Sequence, residues 1–134
     1  MRSNKDVESY LLRMGRPFQE ADDGTFLVSV ESVTVAVKVA PPLVLSRCEI
    51  GALPPSGKGR EPLYEHLLRL NAGALVHGAY GIDGDRIILA AALELENLDY
   101  NELDAILAEM DLALVQQLPK IRELAGNAAA AKAS

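Results

Sequence analysis

The spacing of apolar positions changes several times along this chain, and each change marks an element. From residue 3 to 14, Val7, Tyr10, Leu11 and Met14 recur at helical spacing and share one side. Ser3 followed by Asp6 resembles a capping box, with Asp in place of the usual Glu or Gln. Gly15 supplies a stop, and Pro17 forbids continuation. The period then becomes two. A short strand is expected over 17–21, followed by a tight turn at Asp22-Asp23-Gly24. Phe26, Val28 and Val30 share one face of the next strand, and Val33, Val35, Val37 and Val39 repeat the pattern. Thr34, Ala36 and Lys38 point the other way. Pro41-Pro42 breaks the run, and residues 43–50 read as a further strand, apolar enough to be covered in part on both faces.

Residues 51–60 carry Pro54, Pro55, Gly57 and Gly59 and read as a loop. A helix follows from Pro62 and closes in Leu70-Asn71-Ala72-Gly73. Leu63, Leu67, Leu70 and Ala74 form one stripe on it, and Tyr64, Leu68 and Leu75 a second. Only Glu65, His66 and Arg69 mark a wet side, so the apolar sector is wider than one packing surface needs. Such a helix is either deeply buried or meets a second subunit. Next comes a hairpin: Gly78-Ala79-Tyr80-Gly81-Ile82, a turn at Asp83-Gly84-Asp85, and an alternating strand over 86–95. Ile87, Leu89, Ala91, Leu93 and Leu95 share one face of that strand, while Ile88, Ala90 and Ala92 make the other face small and apolar. Asp99 and Glu102 then cap a helix whose stripe is Leu103, Ile106, Leu107, Met110, Leu114 and Leu118, with Leu112 and Val115 off it. Pro119 should kink or end that helix, and Gly126-Asn127 stops any helix beyond it. The order is α-β-β-β-(β)-α-β-β-α, and grouped strands with short turns predict an antiparallel sheet in an α+β fold. Residues 1–125 are expected to form a single domain and 126–134 an Ala-rich disordered tail.

Composition narrows the partners. The chain has 134 residues, 49% of them hydrophobic, which is sufficient for one real core. The net charge of −6 is uneven: residues 1–60 hold 8 basic against 7 acidic side chains, and the remainder hold 5 against 12. An acidic second half argues against nucleic acid, which usually meets a basic patch. It serves solubility, or a preference for basic or amphipathic partner segments. No apolar run is long enough to span a bilayer, the N-terminus lacks a signal-peptide stretch, and Cys48 is the only cysteine. These features predict a cytoplasmic protein with no membrane partner.

The motifs that could carry chemistry fail one by one. In the Gly-rich loop, Gly51 is followed by five residues before Gly57-Lys58-Gly59, one too many for a phosphate-binding loop, and Gly59 stands where a hydroxyl should bind magnesium. Asp83 and Asp85 could begin a calcium loop, but Ile87 and Ile88 occupy the next ligand and the obligatory glycine positions. His66 and His77 have no partner at metal-ligand spacing, and Cys48 alternates with its strand neighbours as a packed residue would. Glu94, Glu96 and Asp99 cluster at a strand exit, where capping of the following helix explains them. No catalytic residue, metal site or cofactor is expected, which leaves a small enzyme as the remote alternative.

The residues of the middle segment carry a resemblance. Leu67-Leu68-Arg69-Leu70-Asn71, then Gly78-Ala79-Tyr80-Gly81-Ile82-Asp83, the alternating strand Ile87 to Leu95 and the Leu98-Asp99 approach to the last helix resemble the small acidic chaperones of type III secretion, the Tir-chaperone or CesT-like fold. The related YbjN-like domains are similar in the same way. The resemblance runs over about residues 3–122 in element order. It implies a non-enzymatic homodimer that holds an extended segment of an effector protein, often with an added strand. Mapped by element, it offers Tyr10, Met14, Phe18, Phe26, Val28, Val35 and Val37 as partner-binding residues. It places Tyr64, Leu68, Leu75 and Tyr80 in the dimer interface. The YbjN-like branch implies the same fold and dimer in a regulatory or stress-related role outside any secretion system.

Overall fold

The computed structural model of the chain describes residues 3–55 and 59–126. Expectations for residues 127–134 of the tail, and for Gly57 and Lys58 of the loop, lie outside the described residues. Helix α1 (Asn4–Met14) precedes strands β1 (Phe18–Glu20), β2 (Phe26–Val30), β3 (Val33–Ala40) and β4 (Leu43–Ala52). Helix α2 (Arg60–Gly73) leads to the hairpin β5 (Ala79–Asp83) and β6 (Arg86–Glu94), and helices α3 (Tyr100–Gln116) and α4 (Leu118–Ala125) follow. The six strands form one sheet in the order β1-β2-β3-β4-β6-β5, every neighbouring pair antiparallel. The α+β architecture and element order are those expected from the residue pattern.

The ends of the elements follow local chemistry. The Ser3 amide donates to Asp6 Oδ2 at 2.8 Å, and Gly15 closes α1 with φ at 74°. At α3 the Glu102 amide donates to Asp99 Oδ1 at 2.8 Å, and the Asp99 amide donates to Glu102 Oε1 at 3.1 Å. Pro119 does end α3: the chain restarts as α4 with that proline in the first turn, where its missing N–H leaves no bond unmade. Pro62 lies similarly in the first turn of α2, which begins at Arg60. Strand β4 runs past Ile50, because Gly51 and Ala52 pair with Ile87 and Arg86 beyond an irregularity at Glu49.

Burial alternates strictly along β2, from Leu43 to Ile50 of β4 and along most of β6. One face of the sheet carries Phe26, Val28, Val30, Val35, Val37, Val44, Cys48, Ile50, Ile87 and Leu89, all at 2% exposure or less. Val7 and Leu11 of α1, Leu63 and Leu67 of α2, and the α3 stripe from Leu103 to Leu114 join them in one core with Leu118 and Ile121 of α4. Helix α3 packs on β2 and β6, α4 on β4, α2 on β5, and α1 on α3. The opposite face carries Leu27, Ala36, Leu45, Ala90 and Ala92, and no helix among the described residues covers it.

Candidate partner-binding surfaces

Helix α2 and strand β5 enclose a groove of about 270 Å³ lined by Tyr64, Leu67, Leu68, Asn71, Tyr80, Gly81 and Ile82. Tyr64, Leu68 and Tyr80 of the expected dimer interface therefore meet in one place. Leu68 is 67% exposed at its rim, flanked along the helix by Glu61, Glu65 and Arg69. Tyr80 forms the floor: it is buried, and its hydroxyl donates to Gln117 Oε1 at 2.6 Å. Burial pushes its phenol up, and the neighbouring Cys48 adds to the rise. Leu75 lies elsewhere, in a closed niche with Gly78, Leu89, Ala91, Ile106 and Met110. The reason is that α2 ends at Gly73, so Leu75 no longer follows the helical stripe that its spacing suggested.

The N-terminal candidates separate into two groups. Tyr10, Met14 and Phe18 are partly buried against the core and keep an exposed side. The Tyr10 hydroxyl donates to the Leu98 carbonyl at 3.3 Å, its ring meets Tyr100 edge to face at 6.1 Å, and the Arg13 guanidinium lies 4.0 Å above the Tyr100 ring. Phe18 packs edge to face on Phe26 at 5.8 Å. Phe26, Val28, Val35 and Val37, expected in a partner-binding patch, are instead core residues at 1% exposure or less. The helices cover that face of the sheet, so no partner reaches these four side chains in this conformation. Surface apolar area on the strands belongs to the neighbours one residue along.

Those neighbours form the uncovered face of the sheet, which the expected patch did not include. Leu27 lies opposite Ala36, Leu45 opposite Ala92, and Arg47 between Ala36 and Ala90. Leu27 and Leu45 are each 37% exposed. The apolar Ile88, Ala90 and Ala92 on the second face of the long strand were the available signal. Beyond the Ala36–Arg47 pair, β3 and β4 separate, and Leu27, Thr34, Arg47, Glu49 and Arg122 line a second groove there. Arg47 pairs with Asp83, and Arg86 with Glu49 at 3.3 Å, so this face carries charges of both signs beside its small apolar residues.

The short edge strand β1 adds a backbone feature. The Ser29 amide donates to Pro17 O at 3.0 Å, and the Ala21 amide donates to Thr25 O at 2.8 Å. Odd-numbered residues of β1 therefore bond to β2, and Phe18 and Glu20 turn their N–H and C=O groups out of the sheet. Among the described residues, no side chain bonds those outward groups.

Burial pushes the Cys48 thiol up to about 11, against a smaller opposing bond from the Leu89 backbone, so it stays protonated at neutral pH. Burial also pushes the Glu109 carboxyl up, but the amides of Gly78, His77 and Val76 outweigh it and hold the group below its ordinary value. Bonds from the Thr25 amide and hydroxyl lower Asp23 at the β1–β2 turn. Among the described residues, no group of three metal-ligating side chains comes together, and no helix is long and apolar enough to cross a membrane.

Among the described residues, the architecture is therefore an antiparallel sheet with helices on one face, a second face that no helix covers and an open β1 edge. The CesT_Tir_1 family model matches residues 1–127, and the chain belongs to this family. Among curated proteins, none matches. The fold is similar to a chain of the ExoU–SpcU complex from the type III secretion system of Pseudomonas aeruginosa, with a TM-score of 0.67 and 18% identity over 84% of this chain and 95% of that one. It is similar to the Yersinia pestis type III secretion chaperone SycH, solved with a stable fragment of YscM2, at a TM-score of 0.59 and 16% identity over 88% and 98% of the two chains. It is also similar to YbjN of E. coli, at a TM-score of 0.59 and 14% identity over 97% and 93%.

Proposed function

We propose that this chain is a non-enzymatic, cytoplasmic binding protein that works as a homodimer and holds an extended segment of a partner protein. The observation that carries the reading is the open β1 edge, at Phe18 and Glu20, next to the exposed Leu27 side chain on the bare face of the sheet. An added strand would bond to the outward groups of β1 and lay alternate side chains toward that face and toward Met14 of α1. The similar structure of HopA1–SchA is a chaperone–effector complex, and that of ExoU–SpcU is a heterodimeric complex from a type III secretion system, which supports a protein segment as the ligand. The second copy would pack on the α2–β5 groove, because Leu68 stands 67% exposed there between charged flanks.

A second reading takes the same dimer into a regulatory or stress-related role without any secreted partner. It is favoured by the likeness to YbjN, which spans 97% of this chain.

Purification of the tagged chain from its native host, with identification of the proteins that accompany it, tests the choice. A co-purifying protein whose extended segment slows amide exchange at Phe18 and Glu20 supports the first reading. A dimer that yields no such protein supports the second, and a strict monomer with no partner overturns both.

A further inference from the structure

The sheet has two edges, and the chain treats them differently. At the β6 side, the Leu95 amide donates to Pro42 O at 2.9 Å, and the same pairing phase runs through Val44–Leu93, Ser46–Ala91 and Cys48–Leu89. Ile88 and Ala90 therefore bond toward β5, to Gly81 and Ala79. Tyr80 and Ile82 are left with N–H and C=O groups pointing out of the sheet, as Phe18 and Glu20 are at the other edge. At β5, however, a side chain occupies the position of the missing strand. The Tyr80 amide donates to Asn71 Oδ1 at 2.7 Å, and Asn71 Nδ2 donates to the Tyr80 carbonyl at 3.1 Å. One step upstream, the Gly78 amide donates to Glu109 Oε1 at 2.9 Å. A carboxamide is the side chain suited to this, since it offers an acceptor and a donor side by side as a peptide group does. Of the five residues of β5, only Ile82 keeps a free outward pair among the described residues.

We propose that Asn71 is an edge lock, seconded by Glu109, which closes β5 to pairing with the β5 edge of a second copy. The need for a lock is visible in the surroundings. Ile82 is 41% exposed, and Leu68 stands out beside it at 67%. An open apolar edge of this kind is a template for edge-to-edge assembly. With β5 closed, any second copy must meet the α2–β5 groove through side chains. Sheet growth is then confined to β1. That last consequence rests on the reading of β1 as the acceptor edge; the lock itself does not.

The test compares the full chain with Asn71→Leu, which keeps the size and loses both bonds, and with Asn71→Asp, which keeps the acceptor and loses the donor. Amide exchange and light scattering across a concentration series are measured on each. The expected result is a Tyr80 amide that exchanges roughly tenfold faster in Asn71→Leu, with Leu89 and Ala91 unchanged. Concentration-dependent growth beyond the size of the parent protein accompanies it, and adding Ile82→Lys suppresses that growth. Asn71→Asp falls between. Asn71→Ala replaces the leucine variant if the latter does not fold. An unprotected Tyr80 amide in the parent chain, an unchanged size in the variants, or growth that Ile82→Lys does not suppress would each overturn the proposal. Because the parent protein's own size is the baseline, the result is independent of whether that protein is a dimer.

Discussion

Arg16 and Asp111 hold each other through two parallel bonds, Nη2 to Oδ2 at 2.7 Å and Nη1 to Oδ1 at 3.3 Å, between the exit of α1 and the second half of α3. Both side chains are largely sheltered, which distinguishes this pair from the exposed Glu65–Arg69 pair on α2. Together with Arg13 over Tyr100, it ties α1 to α3 at two points beside the buried Val7 and Leu11. Arg16→Ala is expected to lower stability by about 1 kcal/mol in urea unfolding. Arg16→Lys should recover less than half of that loss, since an ammonium cannot make the fork.

Glu109 makes stability depend on pH in a defined direction. Three consecutive amides, from Val76 to Gly78, converge on its carboxylate at 2.9 to 3.2 Å, and the His77 ring nitrogen lies 3.0 Å away. Its folded pKa is depressed below the ordinary value of 4.5. The contribution is therefore present above that value and disappears as pH falls through the lower folded one. Glu109→Gln should cost about 1 kcal/mol at neutral pH, with the gap to the parent protein narrowing below about pH 4.5. A gap that stays constant down to pH 3 would show that the carboxylate's charge is not what holds the loop.

Adjacent positions on β2 should behave in opposite ways. Val28 is fully buried and Leu27 is 37% exposed. Val28→Ala is expected to cost about 2 kcal/mol of stability by opening space beneath α3. Leu27→Ser should change stability by less than about 0.5 kcal/mol, while weakening the capture of a partner segment. Denaturant melts and partner titration on the two variants separate core from surface.

That contrast also locates what was legible in the residues alone. Element order, caps and turns were readable because each rests on local chemistry: Asp99 with Glu102, Gly15 at positive φ, Pro119 at a helix start. The side of the sheet that the helices leave uncovered was not. The most regular apolar alternation, Phe26-Val28 and Val35-Val37, marks whichever face the helices take, so it identifies core more strongly than it identifies a patch. The bare face showed only as weaker residues in the intervening positions, such as Leu27 and Ala36. Leu75 was misplaced because helical spacing was extended two residues beyond Gly73. Asn71 carried no pattern at all, since its bonds to Tyr80 depend on α2 lying along the sheet edge.

Cys48 should be chemically silent in the folded protein. It is 2% exposed within β4, and burial holds its thiol near 11. Thiol reagents at pH 7.5 are expected to label it at least about a hundredfold more slowly than in urea-unfolded chain. A labelling rate close to that of the unfolded chain would reveal opening between β4 and β6 that the pairing of Cys48 with Leu89 does not suggest.

The exposed stripe of α2 bears the heaviest functional claim, and Leu68 tests it. An exposed leucine over a groove floored by Tyr80 can be replaced without disturbing the core. Leu68→Asp should therefore keep its helical and sheet signals and unfold within about 0.5 kcal/mol of the parent protein. If the groove is the contact between two copies, burying an aspartate there should weaken that contact by about 2 kcal/mol, roughly thirtyfold in dissociation constant. Charge reversal of Arg69 on the rim should change it far less and chiefly at low salt. Light scattering across a dilution series reads both effects. A Leu68→Asp dimer as tight as the parent would move the contact away from α2, and the second apolar stripe of that helix would then be surface without a partner.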